Sequence, residues 1–223
     1  MTMSTTKTAI VSTVPVQAAI RTEPVQQRSA DRITNLLDTA AALIDERGID
    51  GLTTSDVAVA SGSSVGVVYR YFPNIQSLLT ALAARNLQRF TERVFGDSAG
   101  APSSWTAAMN SAIDAYVDLC RHEPGFRALG FGDVIARRVL KPEVDSNNAA
   151  LARAFNQLLV EQCGLQPSDE LTFDIEVAIE ISDALLNRAF QTDPAGDIRF
   201  IDKLRVIVDE YMAPHTQAAR LAG

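Results

Sequence analysis

The residues best suited to contact another molecule lie between Gly62 and Pro73. A serine hydroxyl can hydrogen-bond to either type of base pair, and a valine can pack against a thymine methyl group. Small side chains also let a helix backbone come close to bases in a major groove about 12 Å wide. The small residues are Ser63, Ser64, Val65, Gly66 and Val67. These residue types are therefore ones with which a helix can contact the edges of DNA bases, provided that the fold presents them on such a helix.

Phosphate contacts are predicted on both sides of these small residues. Tyr69, Arg70 and Tyr71 carry donors that can reach backbone phosphates. Thr54 and Ser55 lie at the start of a preceding helix, where hydroxyls and free backbone N–H groups can hold an anion. Tyr69 could instead be half buried, and Arg70 could pair with a surface acid. Four apolar residues are expected to pack in the interior: Val57, Ala58, Val68 and Phe72.

Two short helices must position these side chains. Thr53 and Asp56 form a capping-box pattern, which predicts a helix over Thr53–Ala60. A second helix is predicted over Val65–Tyr71, between the glycine turn and a proline that cannot continue the helix. Together these parts are typical of a helix-turn-helix.

Helical periodicity extends over most of the remaining chain, and no strand-like alternation competes with it. An amphipathic helix is predicted from Ser29 to Arg47, and a long helix begins after Asn74. The segment 96–104 is predicted to be a loop. Further helices are predicted at about 104–122, 125–140, 142–163, 169–191 and 196–212.

The helix-turn-helix segment closely resembles the TetR family of transcriptional repressors. In that family the second short helix ends in a Tyr-x-x-Phe-Pro pattern, like Tyr69-Arg70-Tyr71-Phe72-Pro73, and the similarity covers about residues 29–80. The resemblance implies an all-α fold in three parts. These are a flexible N-terminal extension at 1–27, a three-helix DNA-binding domain at 28–75, and a larger helical effector-binding and dimerisation domain at 76–223.

The resemblance also implies a function. Members bind double-stranded operator DNA as homodimers, and a small-molecule effector tilts the two DNA-binding domains out of register with successive major grooves, about 34 Å apart. The alternative is a helical ligand-binding or protein-interaction dimer that has lost DNA binding. Net charge is −7 for the whole chain and −2 for residues 28–75, which is unusual for a DNA-binding domain.

One position departs from the family pattern. A lysine commonly anchors a phosphate where this chain has Ile75. Arg21, Arg28 or Arg32 could supply the missing contact from an arm that precedes the first helix. The hypothesis is therefore that the N-terminal extension contributes to operator binding.

An effector pocket is predicted in the larger domain, where aromatic and methionine side chains concentrate. Such residues line adaptable apolar pockets that contain a few polar anchors. The candidates are Trp105, Met109, Tyr116, Phe126, Phe131 and Phe155, with Asp183 and Asn187 as polar anchors. The alternatives are an ordinary core for the apolar residues, and for the polar pair either solvation or pairing with Arg188 across a dimer.

The helices over 171–190 and 198–212 carry apolar residues around more than one side. A helix of this kind needs a second packing partner. The partner is either the rest of the same chain or a second copy of it, and a four-helix interface between two copies is favoured.

No enzymatic activity, cofactor or metal ion is expected. His122 and His215 have no nucleophile or carboxylate partner at motif spacing, and the sequence has no glycine-rich phosphate loop. Cys120 and His122 are fewer ligands than a metal site needs. No apolar run reaches the roughly 18 residues of a membrane span, and polar residues interrupt the apolar stretch after Lys7, so a cytoplasmic location is expected.

Overall fold

Nine α-helices and no β-strand form the part of the chain that the computed structural model describes, residues 27–96, 100–131 and 147–222. This confirms the all-α fold. In chain order the helices are α1 (Gln27–Arg47), α2 (Thr54–Ala60), α3 (Val65–Tyr71), α4 (Ile75–Phe95), α5 (Trp105–His122), α6 (Phe126–Leu129), α7 (Asn147–Cys163), α8 (Asp169–Phe190) and α9 (Ile198–Ala222). None of the helices described is long and apolar enough to cross a membrane.

Side-chain caps and a glycine turn fix the ends of α2 and α3. The Thr53 hydroxyl accepts a hydrogen bond from the Asp56 backbone N–H at 3.2 Å, and the Asp56 carboxylate accepts one from the Thr53 backbone N–H at 2.9 Å. The hydrogen bond from the Thr53 side chain also lowers the pKa of Asp56. Gly62 adopts a φ of +66° in the turn, a conformation that residues with a Cβ rarely adopt. The helix-turn-helix therefore forms where its capping pattern predicts it.

Two of the predicted helix boundaries are wrong. The predicted helix at 125–140 is only the four-residue α6 in its described part, because Gly130 ends it with a φ of +52°. The predicted end at residue 212 is also wrong, since α9 continues through Pro214. Residues 1–26, which include nearly all of the predicted extension, and residues 132–146 lie outside the described part of the chain.

Asp174 on α8 explains why α9 continues past its proline. The Tyr211 hydroxyl donates to one carboxylate oxygen of Asp174 at 2.5 Å, and His215 Nε2 lies 2.7 Å from the other. These contacts lower the pKa of Asp174 and raise the pKa of Tyr211 to about 12. Because they hold α9 on either side of Pro214, the lost backbone hydrogen bond does not end the helix.

The described residues form two compact units. Unit N comprises residues 27–89 and 122–131, and unit C comprises residues 90–96, 100–121 and 147–222. Unit N has a continuous apolar core drawn mainly from α1, α2, α3 and α4. Its fully buried members include Leu36, Ala40, Val57, Ala58, Val68, Phe72, Leu78 and Leu82.

Unit N extends beyond residues 28–75, because α4 up to Arg89 and the segment 122–131 also belong to it. Leu129 is part of the apolar core, and the Asn86 side-chain amide donates to the Gly130 carbonyl at 3.0 Å. An ion pair joins Arg89 to Glu123, which is also part of unit N. The helix-turn-helix is thus supported by residues about fifty positions further along the chain.

Gly125 makes the closest backbone approach in this packing. Its φ is +72°, and a Cβ at this position would lie 3.0 Å from the carbonyl oxygen and 3.1 Å from the Cα of Ala41 on α1. A side chain here would therefore meet both an unfavourable backbone conformation and a rigid helix backbone.

We expect Gly125→Ala to destabilise the protein by about 2–4 kcal/mol, because it adds a steric clash to the cost of the left-handed conformation. Gly51→Ala is the matched control: Gly51 has a φ of +81° but no atom within 4 Å of its Cβ position, so only about 1–2 kcal/mol should be lost. Urea unfolding of both variants measures the difference. Equal losses would show that contact with Ala41 does not matter.

Unit C leaves large apolar side chains exposed on α8 and α9. Phe173 on α8 is 63% exposed, and Ile198 and Val206 on α9 are 57% and 46% exposed. The opposite sides of the same helices are buried, including Ile175, Leu204 and Val208. Thus α8 and α9 carry apolar residues on two sides, as the sequence predicted. In the single chain one of these sides is buried and the other is exposed to solvent.

Candidate nucleic-acid interface

The exposed edge of unit N is formed by the start of α2 and by one face of α3. Val65 and Tyr69 lie four residues apart on α3 and are 38% and 46% exposed. Ser55, Ser64, Gly66 and Arg70 are also exposed. The opposite side of α3 packs into the core through Val68. The structure therefore gathers six of the ten predicted DNA-contacting residues on one surface.

The other four predicted contacts are buried or partly buried. Thr54 and Tyr71 are 6% and 7% exposed, and Tyr71 is part of the unit N core. Val67 is half-buried against the same core. The hydroxyl of Ser63 is buried and has no hydrogen-bond partner among the described residues. These side chains support the surface, and the sequence could not distinguish them from the exposed ones by residue type alone.

Ser64 and Arg70 have intramolecular contacts that restrict their orientation. The Ser64 hydroxyl oxygen caps α3 by accepting a hydrogen bond from the Val67 backbone N–H at 3.3 Å. Its own O–H is left to donate. The Arg70 guanidinium lies 5.9 Å from the centre of the Tyr71 ring, in the range of a cation–π contact. Arg70 is therefore held toward the C-terminal end of α3.

The fold does not require a glycine at position 66. Gly66 is within α3, its φ is not positive, and the nearest atom to a Cβ built there is Ser64 Oγ at 4.0 Å. A glycine in a helix interior costs about 0.8–1 kcal/mol relative to alanine. Because Gly66 has no side chain and no atom of the protein lies closer than 4.0 Å to its Cβ position, another molecule can approach its backbone closely.

Val59 is an exposed residue that sequence reasoning did not single out. It is 81% exposed on α2, whereas Val57 and Ala58 on the same helix are fully buried. The helical spacing was the available signal, because a residue one position beyond two buried ones turns toward solvent.

Three arginines outside 28–75, at positions 85, 89 and 127, add positive charge to unit N. Asp38 on α1 pairs with Arg85 at 2.6 Å, and Asp45 lies 3.8 Å from Arg127. The described residues of unit N contain seven arginines and seven acidic residues. The −2 charge of residues 28–75 therefore overstates the acidity of the folded unit.

The predicted effector residues are divided between the two units. Phe126 and Phe131 are buried in unit N, where their ring centres lie 5.8 Å apart at a near-perpendicular angle. The other six residues are in unit C. Each unit thus holds its own part of the predicted set.

In unit C, Trp105, Met109 and Tyr116 are buried along one face of α5. The Trp105 indole N–H is buried without a hydrogen-bond partner among the described residues. The Tyr116 hydroxyl lies 3.5 Å from the side-chain oxygen of Asn187. Burial raises the pKa of Tyr116 well above its ordinary value, so its phenol stays neutral.

The remaining unit C candidates differ in exposure. Phe155 on α7 is buried and stacks edge-on against Phe95, with ring centres 4.9 Å apart. Asp183 is half-buried and Asn187 is exposed. Arg188, the suggested partner of that polar pair, lies 5.3 Å from the ring centre of Phe200 within the same chain.

Family models match two parts of the chain. The model described as "Bacterial regulatory proteins, tetR family" matches residues 36–82. The model described as "Tetracyclin repressor-like, C-terminal domain" matches residues 103–216. Together these matches include the helix-turn-helix and most of unit C.

Individual proteins agree with these matches. The crystal structure of a TetR-family transcriptional regulator from Streptomyces coelicolor has 33% identity and a TM-score of 0.66, covering 82% of this chain and 99% of that chain. The uncharacterized HTH-type transcriptional regulator YvdT of Bacillus subtilis is 26% identical over 80 residues, which cover 36% of this chain and 41% of that protein. Nucleoid occlusion factor SlmA of Haemophilus ducreyi is 29% identical over 96 residues, covering 43% and 47%. The chain spans less than half the length of these last two relatives.

Proposed function

The chain belongs to the TetR family of transcriptional regulators, and we propose that it represses transcription as an operator-bound homodimer that a small molecule releases. The observation that carries the proposal is the exposed edge of α3, where Val65, Gly66 and Tyr69 are presented on a well-packed core. An exposed apolar and glycine-containing helix face suits a major groove better than it suits water.

Within this proposal the exposed residues divide by position along α3. Ser64, Val65 and Gly66 are at its N-terminal end, which in helix-turn-helix proteins contacts base edges. Tyr69 and Arg70 are about one turn further on and are assigned to phosphates, as is Ser55 at the start of α2. The buried Thr54, Ser63, Val67 and Tyr71 are assigned to supporting this surface.

Dimerisation is assigned to α8 and α9. Phe173, Ile198 and Val206 leave apolar surface in water that a second copy would bury. The two helices pack on each other, so that a two-fold pairing would give a four-helix interface.

The effector is assigned to the interior of unit C, along the face of α5 that holds Trp105, Met109 and Tyr116. A neutral, largely apolar molecule suits this region, because Tyr116 is a neutral phenol and the neighbouring side chains are apolar. The buried indole N–H of Trp105 would be satisfied by an acceptor oxygen on such a molecule.

The test of this function is Tyr69→Ala, with binding measured by fluorescence anisotropy on duplexes selected from a random library. We expect a loss of roughly tenfold or more, because a hydrogen bond to a charged phosphate is removed. Since Tyr69 is 46% exposed, the melting temperature should change little. Tyr71→Ala is unsuitable, because Tyr71 is part of the core.

Tyr69→Phe is the matched control, since it removes the hydroxyl and keeps the ring. If the phosphate contact is the main contribution of Tyr69, this variant should bind as weakly as Tyr69→Ala. Unaltered binding by Tyr69→Ala would remove the residue from the interface. A wild-type protein without sequence-selective binding would favour the alternative, a helical dimer that no longer binds DNA, which Ile75 and the charge balance of unit N would then explain.

A further inference from the structure

At the first turn of α3 an apolar side chain is accessible to a partner, whereas the hydrogen-bonding groups of the neighbouring serines are mostly buried or already used. The Ser63 hydroxyl is buried, and the Ser64 oxygen already accepts a hydrogen bond from Val67. Gly66 has no side chain. Val65, at 38% exposure, is therefore the apolar side chain that this turn presents to a partner.

The remaining polar groups on this surface discriminate poorly between bases. The free O–H of Ser64 can donate to a phosphate or to an acceptor on any purine or thymine, so it carries little sequence information. Arg70, which could read a guanine, is five residues beyond Val65 and is held against the Tyr71 ring. Five residues correspond to about 7.5 Å along a helix axis.

We propose that Val65 recognises the C5-methyl group of a thymine in each operator half-site, an inference that rests on the DNA-binding function proposed above. Thymine is the one standard base that presents a methyl group in the major groove. The absence of a Cβ at the adjacent Gly66 lets the helix backbone come close enough for that contact. Because valine is β-branched, its rotamer is already restricted in a helix and little side-chain entropy is lost on binding.

The inference can be tested without knowing the operator. Two randomised duplex libraries, one built with thymine and one with uracil in its place, are selected in parallel with the full-length protein. Uracil keeps every hydrogen-bonding group of thymine and lacks only the methyl. We expect a fixed thymine in each half-site from the first library, and no fixed uracil at that position from the second.

Single replacements in the selected duplex then measure the methyl contact. Thymine to uracil in one half-site should weaken binding about fourfold, the value expected for one buried methyl group, and replacement in both half-sites about sixteenfold. Val65→Ala should bind the thymine and uracil duplexes with a difference well below fourfold, because only one of the three side-chain carbons remains to contact the methyl group. Val59→Ala is the matched control: it shortens an exposed valine on α2, so it should keep the full difference between the two duplexes.

The outcomes separate this inference from the function on which it rests. If neither library is enriched, the protein has no selective DNA binding, and both the repressor function and the inference fail. If a site is selected but uracil binds as well as thymine at every position, the inference is overturned and the repressor function stands. The inference is likewise overturned, with the repressor function intact, if Val65→Ala keeps the full difference between the two duplexes.

Discussion

Phe173→Glu should convert the proposed dimer into a folded monomer and weaken operator binding by about two to four orders of magnitude. Phe173 is 63% exposed on α8, so glutamate is well solvated in the single chain and the helix should persist. In the proposed interface the same carboxylate would be buried against apolar side chains, where an unpaired charge is costly. Because two linked half-site contacts gain about 10²–10⁴-fold in avidity, a monomer loses that advantage.

Sedimentation velocity, circular dichroism and anisotropy on the selected duplex measure assembly, fold and binding separately. Gln166→Glu is the matched control, since it introduces the same charge at an exposed position before α8. It should stay dimeric and bind normally. A Phe173→Glu protein that is still a dimer would mean that α8 is outside the interface.

The second large effect is expected from Gly66→Ala, which should change stability and binding in opposite directions. A Cβ at this position meets no atom closer than 4.0 Å, so alanine should stabilise the free protein by about 0.5–1 kcal/mol through its higher helix propensity. Against DNA the added methyl group would overfill a tight contact at a cost of about 1–3 kcal/mol in each half-site, so the dimer should bind its operator about 30-fold to 10⁴-fold more weakly.

Thermal unfolding and anisotropy, measured on the same protein preparation, give the two quantities. Gly62→Ala serves for comparison: its φ of +66° means that alanine is strained there, so stability should fall. A Gly66→Ala protein that is more stable and binds DNA as tightly as wild type would show that no close approach occurs at α3.

Local signals were sufficient to predict the helix-turn-helix. Thr53, Asp56 and Gly62 act on neighbouring residues, so their effect can be derived from spacing. Gly125 packs against Ala41, and the Gly130 carbonyl accepts a hydrogen bond from Asn86. Both partners are distant in sequence. The apolar pattern at 125–140 contains no sign of these contacts, and it therefore predicted a longer helix than the one observed. The length of α9 was not predictable from local sequence either, since Asp174 on another helix contacts Tyr211 and His215 on either side of Pro214.

The candidate interface was predictable in its location and less so in its details. Tyr69 and Tyr71 are equally suited to phosphate by chemistry, yet two residues on a helix differ by about 200° in direction. The burial of Val68 and Phe72 decides which tyrosine faces outward. For Phe126 and Phe131 no periodic signal exists, because they join unit N through a turn that only the folded chain defines.

The balance of seven arginines and seven acidic residues in unit N affects how a DNA-binding dimer would find its target. Sliding along random sequence depends on net attraction to phosphates, and unit N provides little of it. The search would then proceed mainly by repeated encounters from solution. Few molecules would be held on the rest of the chromosome, so the free concentration would follow the number of copies in the cell. Operator occupancy would therefore respond directly to modest changes in expression.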